Sequence, residues 1–163
     1  MPPANRIAPA RSAGDLQDAV ALFEAYAASL GIDLAYQDFA GELAAMPGKY
    51  APPRGALLLA RAAGGRAVGC VALRPLPADG ACEMKRLYVA PAGRGGGLGR
   101  ALVDAVLAEA RRIGYREMRL DTLPTMAAAL ALYRSAGFRD IPPYYDTPVT
   151  GTIFLARPLE PAG

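Results

Sequence analysis

The sequence predicts an α/β domain in which helices are layered against a mixed sheet of six or seven strands. Three observations predict it: consecutive short strands joined by tight turns, a change to alternating strands and helices, and a glycine-rich junction between the two parts. The 163 residues show no repeat and no linker, so a single domain over residues 1–163 is expected. Residues 1–5 and 160–163 are expected to be loose ends, and about four helices are expected to flank the sheet.

The N-terminal part predicts one short strand followed by a long helix. Ile7 marks the strand, and apolar residues recur at helical spacing over residues 16–30. Gly31 fits the C-terminal end of this helix, and either Ser12 or Asp15 is expected to cap its start.

A second, short helix is predicted over residues 36–46, with Phe39 and Leu43 on one face. Prolines and glycines break regular structure over residues 47–55. Within this loop, Lys49 and Tyr50 are expected to be exposed or to lie near a pocket.

Three strands are predicted in succession, over residues 56–62, 67–73 and 81–89. Gly64-Gly65 is a hairpin turn between the first two, and prolines with Asp79-Gly80 separate the second from the third. Consecutive strands with tight turns indicate an antiparallel meander.

The C-terminal part alternates helices and strands, which favours a right-handed parallel crossover between the strands around residues 81–123. The predicted order is a helix over 98–113, a strand over 116–123, a helix from Pro124 to Gly137, a strand from Phe138 interrupted by Pro142-Pro143, and a last strand over 151–159 as its hairpin partner.

Composition excludes several classes of function. The net charge of +3 is mild and its arginines are dispersed, which gives no argument for nucleic acid. The absence of histidine excludes His-based catalytic triads and the usual zinc sites, so no metal is expected. Cys70 and Cys82 lie in apolar runs and are expected to be buried free thiols. No signal peptide or membrane-spanning run is seen, so no membrane partner and a cytoplasmic location are expected.

The stretch Arg94-Gly95-Gly96-Gly97-Leu98-Gly99-Arg100 joins a predicted strand to a predicted helix. Glycines at a helix N-terminus leave N–H groups free to bind an anion, so the stretch predicts a phosphate site. The dinucleotide spacing G-x-G-x-x-G fails here, because Arg100 and Leu102 stand where its last glycine is required. The P-loop lysine is missing too. The plain alternative is a flexible surface loop.

The remaining spacing, Arg94-x-x-Gly97-x-Gly99, resembles the acetyl-CoA signature of the GCN5-related N-acetyltransferase (GNAT) superfamily. Leu87-x-Val89-x-Pro91 before it resembles the approach strand of that family. Ala129-x-x-x-Tyr133-x-x-x-Gly137-Phe138 looks like its second block, shifted by one residue at the alanine. The resemblance implies the GNAT fold and an acyltransferase that uses acetyl-CoA as co-substrate.

The resemblance also implies which residues hold CoA. Backbone N–H groups of the glycine stretch would bind the pyrophosphate, and the strand before it would bond the pantetheine arm. Many members of the family have asparagine where this chain has Met126, which puts one polar contact in doubt. The candidate cofactor-binding residues are Leu87, Tyr88, Val89, Arg94, Gly95, Gly96, Gly97, Leu98, Gly99, Arg100 and Met126.

Two residues are candidates for catalysis. By resemblance, Tyr133 would protonate the leaving thiolate of CoA; the alternative is a packed tyrosine with a bonded hydroxyl. Glu83 is the candidate base, or else a glutamate paired with Lys85 or Arg86. Asp121 is a weaker candidate base. Strand alternation predicts that Glu83, Lys85, Leu87 and Val89 share one face.

The acceptor pocket is expected between the first two helices and the last two strands. Its candidate residues are Tyr36, Glu83, Tyr144 and Tyr145, although the two adjacent tyrosines also fit a packed aromatic turn. The expected reaction is direct transfer from acetyl-CoA to the amine of a small molecule or amino acid. Alternatives are a protein N-terminus or lysine as acceptor, or a CoA-binding sensor without catalysis. A homodimer stays open.

Overall fold

The computed structural model describes residues 5–160 and contains one seven-stranded mixed sheet with the strand order β1-β2-β3-β4-β5-β7-β6. The strands are β1 (Arg6–Pro9), β2 (Ala56–Arg61), β3 (Ala67–Pro75), β4 (Ala81–Val89), β5 (Glu117–Thr122), β6 (Arg139–Asp140) and β7 (Ile153–Pro158). The helices are α1 (Ala13–Leu30), α2 (Phe39–Ala44), α3 (Leu98–Ile113) and α4 (Ala127–Ser135), with 3₁₀ turns at Leu34–Gln37, Gly48–Tyr50 and Pro91–Gly93. This architecture confirms the predicted fold class.

The pairing of the strands confirms the predicted topology. Strands β1 to β4 form an antiparallel meander, β4 and β5 are parallel, and β7 pairs antiparallel with both β5 and β6. No helix in residues 5–160 is long and apolar enough to cross a membrane.

Two hydrophobic cores cover the two faces of the sheet. Alternate residues of β2 enter opposite cores, with Leu57 and Leu59 on the α1 side and Leu58 on the α3 side. The sheet is therefore buried on both faces, which explains the nearly continuous apolar run of β2. Cys70 and Cys82 are buried free thiols, as expected.

The start and end of α1 follow the local sequence signals. Ser12 is the N-cap and accepts from the Asp15 N–H, while the Asp15 carboxylate accepts from the Ser12 N–H. The two candidates are thus the two halves of one capping box. Gly31 ends the helix in the left-handed conformation (φ 67°).

Three predicted elements differ from the observed ones. The helix over 36–46 is divided, because Asp38 has φ 52° and separates the 3₁₀ turn from α2. Helix α4 begins at Ala127, after a turn that contains Pro124, rather than at the proline. Strand β6 has only two residues, and Pro142-Pro143 supply no N–H to lengthen its ladder. The predicted loose ends fall almost wholly outside the described residues.

A bulge in β4 overturns the prediction that Glu83, Lys85, Leu87 and Val89 share one face. Lys85 pairs with Ala72 and Tyr88 with Cys70, so two residues of β4 oppose one residue of β3. Arg86 takes up the extra length with φ 61°.

As a result, the two halves of β4 present their odd-numbered side chains to opposite faces of the sheet. Glu83 and Lys85 lie on the α1 side, where Lys85 bonds the 3₁₀ turn that follows α1. Leu87 and Val89 pack into the α3 core.

The Arg86 side chain explains why this bulge is stable. Its guanidinium is buried, donates to both carboxylate oxygens of Glu42 at 2.9 Å, and lies 5.1 Å from the ring centroid of Phe39. A bidentate pair of this kind compensates a cation that has lost its hydration. Helix α2 is thereby fixed to the bulge.

Replacing Glu42 with alanine is expected to lower the free energy of unfolding by about 3–5 kcal/mol, because it leaves the buried Arg86 cation without its partner. Urea denaturation measures this loss. The matched control is Asp104→Ala, which removes the partner of the exposed Arg100 and is expected to cost less than about 1 kcal/mol. Equal losses in the two variants would contradict this account of the bulge.

Candidate active site

The site lies where β4 and β5 separate. These parallel strands pair only through Ala81–Glu83 with Glu117–Arg119, and beyond these residues they share no further pairs. The resulting cleft contains a narrow inner cavity of about 40 Å³. It is lined by both strands, α1, the turn after α1, and α4, through residues that include Tyr26, Leu34, Tyr36, Gln37, Lys85, Leu87, Asp121, Met126 and Tyr133.

Tyr133 is held in this cleft by α4. Its ring packs edge-to-face on Phe138 with centroids 6.0 Å apart, and the residue is 8% exposed. Its hydroxyl bonds no side chain or backbone group of residues 5–160, although it lines the inner cavity. Burial, with Tyr26 and Asp121 nearby, raises the pKa of the phenol. Tyr133 is therefore a protonated, unbonded phenol facing the cleft.

The glycine stretch presents an open cradle at the start of α3. Gly95 and Gly97 have left-handed φ angles of 92° and 75°, and Gly97 is the N-cap of α3. A Cβ placed on Gly95, Gly96 or Gly97 would meet no atom within 4 Å. The absence of side chains therefore leaves free space directly over the first N–H groups of a 16-residue helix. Open space at a helix N-terminus is a feature of many anion-binding sites.

Gly99 has a different role from the glycines of the cradle. A Cβ there would lie 3.3 Å from Leu132 of α4 and 4.0 Å from Val89 of β4. Leu98 beside it is buried in the core. This part of the stretch packs α3 closely against α4 and β4, and so fixes the distance from the cradle to Tyr133.

The two arginines that flank the stretch are engaged with the protein. Arg94 donates from Nε to the carbonyl of Val89 at 3.0 Å. Arg100 pairs with Asp104 and reaches Ser135 of α4. Both side chains fix the loop to its neighbours, and the anion site is left to the backbone.

The Val89 peptide groups of β4 near the cradle face away from β3, and the carbonyl among them accepts from Arg94. Ala90 donates to the Val68 carbonyl across the ladder with β3, so the alternation of an antiparallel ladder turns the peptide groups of Val89 away from β3. The side chain of Tyr88 points to the α1 side, edge-to-face with Tyr26. Met126 is the N-cap residue of α4 and lines the inner cavity, without a side-chain cap bond.

Glu83 is buried below the cleft and its carboxylate is fully engaged. The residue is 1% exposed, accepts from Arg74 Nε at 2.9 Å and accepts from the hydroxyl of Tyr144. It does not line the inner cavity. Glu83 thus pairs with Arg74 on the neighbouring strand, rather than with Lys85 or Arg86.

Tyr144 and Tyr145 form a packed aromatic turn and also bind carboxylates. Both rings stack edge-to-face on Phe154 of β7. Tyr144 donates to Glu83 and Tyr145 to Asp121, so the turn ties together the ends of β4 and β5. Burial, with the adjacent carboxylates, raises the pKa of both phenols. Asp121 itself lines the inner cavity.

An outer cavity of about 430 Å³ opens beside the inner one on the α1 side of the sheet. Tyr36 and Lys85 line both cavities, while Tyr145 and Asp146 line the outer one alone. Tyr50 is buried and lines a separate cavity below α2 with Lys49. The outer cavity therefore adjoins the inner cavity, which Tyr133 lines.

Sequence reasoning singled out the cradle, Tyr133 and the tyrosine turn, but it missed Lys85 and Gln37. Lys85 is 6% exposed and donates to Gln37 Oε1 at 2.9 Å. One signal was available: the sequence has only two lysines, and this one lies inside a strand of apolar character. No cluster of three or more His, Cys, Asp or Glu side chains within residues 5–160 is placed to hold a metal ion.

Comparison with known proteins places this geometry in one family. The model of the acetyltransferase (GNAT) family matches residues 19–138. An uncharacterised N-acetyltransferase of Schizosaccharomyces pombe is 43% identical over 141 residues, which are 86% of each chain. An aminoglycoside N(6')-acetyltransferase type 1 of Stenotrophomonas maltophilia is 34% identical over 119 residues, covering 69% of this chain and 72% of its own.

A solved structure agrees with these relatives. A Klebsiella pneumoniae protein described as an acyl-CoA N-acyltransferase superimposes with a TM-score of 0.74 and 28% identity. The match covers 96% of this chain and 98% of that chain.

Proposed function

The chain belongs to the acetyltransferase (GNAT) family, and from this premise we propose that it moves an acetyl group from acetyl-CoA to the amine of a small molecule or amino acid. One observation carries the proposal. The inner cavity is lined by Tyr133 and β4 and shares Tyr36, Gln37, Lys85 and Arg86 with the outer cavity, which supports a donor in the cleft and an acceptor in the outer cavity. The proposal takes the whole chain as one catalytic domain.

The donor side is proposed to run from the cradle into the cleft. The N–H groups of Gly95, Gly97 and the first turn of α3 bind the pyrophosphate of CoA, in the space that a Cβ would fill. The N–H of Val89 and the backbone of Leu87 bond the pantetheine arm, as a neighbouring strand would. Met126 contributes an apolar contact where many relatives have an amide.

The chemistry needs an acid for sulfur and a base for the amine. The acceptor nitrogen forms a bond to the thioester carbon, the carbon–sulfur bond breaks, and Tyr133 gives its proton to the sulfur. The proton of the amine passes to a carboxylate. Asp121 lines the inner cavity directly and is the nearer candidate, whereas Glu83 does not line it and is bonded to Arg74 and Tyr144.

The acceptor is proposed to enter through the outer cavity, past Tyr36 and Tyr145. This cavity is bounded by α2, the turn after α1 and the tyrosine turn, and its volume of about 430 Å³ fits a molecule of drug-like size. The Stenotrophomonas maltophilia relative, an aminoglycoside acetyltransferase, supports a small-molecule amine as the acceptor.

The test is release of free thiol from acetyl-CoA across a panel of small amines, amino acids, N-terminal peptides and lysine peptides. Turnover of a small amine or amino acid above the amine-free background is expected, and mass spectrometry should find the acetylated acceptor in equal amount. Turnover confined to peptides would move the acceptor class to proteins. Stabilisation by CoA without turnover of any acceptor would instead indicate a CoA-binding sensor.

A further inference from the structure

Lys85 is a buried cation that the mechanism above does not use. It lies on β4 beside the bulge, lines both the inner and the outer cavity, and is 6% exposed. Within residues 5–160, no carboxylate oxygen lies within 4.0 Å of its Nζ. Among the residues that the structure describes, its one hydrogen-bond partner is the neutral amide oxygen of Gln37. A buried ammonium without an anionic partner is costly, which calls for a compensating group from outside the chain.

The hydrogen bonds around Lys85 all run in one direction. The Lys85 ammonium can only donate, so it faces Gln37 Oε1, and Gln37 Nε2 in turn donates to the hydroxyl oxygen of Tyr36 at 2.9 Å. This leaves the remaining Lys85 hydrogens and the Tyr36 hydroxyl hydrogen available to an acceptor, and both residues line the two cavities. The network therefore offers donors, and an anionic acceptor group matches it.

The neighbouring cations do not compete for such a group. Arg74 is paired with Glu83, and Arg86 is paired with both oxygens of Glu42. Among these three cations, Lys85 alone has no carboxylate partner within the described part of the chain. Lys85 is therefore the cation whose charge an anion in the cavity would balance.

The charges around Lys85 agree with this assignment. Burial lowers the pKa of the ammonium, Arg86 and Arg74 lower it further, and Glu83 and Asp121 act in the opposite direction. Tyr36 and Tyr145 are the phenols nearest the outer cavity, and the carboxylates of the two cavity walls are Asp38, Glu42, Asp146 and Asp121. Glu42 is held by Arg86 and Asp121 accepts from Tyr145, while Asp38 and Asp146 add negative charge to the outer cavity. A bound carboxylate would favour the ammonium form, so it should raise the pKa of Lys85.

We propose that Lys85 binds the carboxylate of the acceptor, and that the acceptors are therefore free amino acids rather than amines without an acid group. In an α-amino acid, the amine is on the carbon next to the carboxylate. A carboxylate on Lys85 therefore leaves the amine at the inner cavity, which Lys85 and Tyr133 both line. This inference rests on the proposed acetyl transfer and narrows its acceptor class.

The first experiment observes Lys85 directly and needs no turnover. The chain has two lysines, so protein labelled with [¹³C]lysine gives two Cε signals, and Lys49→Met assigns them. Each of the twenty amino acids is added with CoA present, beside its carboxamide. Across a pH titration of the Cε signal, we expect at least one amino acid to raise the pKa of the Lys85 ammonium while its carboxamide leaves that pKa unchanged. No response to any amino acid, or an equal response to the carboxamide, would overturn the inference.

The second experiment uses thiol release with the same acid and carboxamide pairs. Lys85→Met is expected to lower kcat/KM for the amino acid about 10- to 100-fold, the worth of a charged hydrogen bond, and to change the carboxamide less than about threefold. Lys49→Met is the control and should match the parent protein. Equal losses for acid and carboxamide would overturn the inference. If no acceptor increased thiol release, the proposed transfer would be refuted. The NMR signal of Lys85 would still report on carboxylate binding.

Discussion

Replacing Gly97 with valine is expected to weaken CoA binding at least about 100-fold, which corresponds to about 2.8 kcal/mol. Gly97 has φ 75°, which a β-branched residue rarely adopts, and its missing Cβ leaves the space proposed for the pyrophosphate. Valine would both strain the N-cap of α3 and occupy the cradle. Isothermal titration with CoA measures the loss.

Gly65→Val is the matched control for this prediction. Gly65 also has a left-handed φ, 91°, and a Cβ there would likewise meet nothing within 4 Å, but it lies in the β2–β3 hairpin turn. Both variants therefore carry a similar backbone strain, and only Gly97→Val fills the cradle. Equal CoA affinity in the two variants would show that the cradle does not bind the pyrophosphate of CoA.

Replacing Tyr133 with phenylalanine is expected to lower kcat by about 10²- to 10⁴-fold, the usual worth of a positioned general acid. The affinity for CoA should stay within about threefold, because the ring keeps its contact with Phe138. Steady-state kinetics with an acceptor from the panel measures both quantities.

The pH dependence gives Tyr133 a second signature. Burial raises the pKa of its phenol, so the acid form persists through neutral and alkaline pH and the parent protein should not lose its acid there. The phenylalanine variant must take the proton from solvent, so its remaining rate should fall as pH rises. Tyr115→Phe is the control, since it removes a hydroxyl that bonds the Arg54 carbonyl outside the inner cavity. A Tyr133→Phe enzyme with parental rates at every pH would refute the assignment.

The sequence predicted those parts of the fold that local patterns determine. The capping box at Ser12, the end of α1 at Gly31 and the span of α3 each depend on neighbouring residues alone. The resemblance singled out the cradle and Tyr133 because each belongs to a short motif within one continuous stretch of sequence. These predictions needed no knowledge of distant contacts.

Local sequence patterns could not predict the bulge in β4. Strand alternation put Glu83 and Leu87 on one face, but Arg86 adopts φ 61° because Glu42, 44 positions away, holds its guanidinium. The partners of Tyr144 and Tyr145 likewise come from β4 and β5, 61 and 24 positions away. Such contacts follow from the folded sheet, and no local pattern encodes them. Lys85 was missed for this reason, because its role depends on the face of the sheet on which its side chain lies.

A crystal structure with CoA bound is the most direct test of where CoA binds. We expect pyrophosphate oxygens within about 3 Å of the N–H groups of Gly95, Gly97 and the first turn of α3. We also expect the pantetheine arm between β4 and β5, with its sulfur at the hydroxyl of Tyr133. CoA bound outside the β4–β5 cleft, or with its sulfur away from Tyr133, would contradict the account.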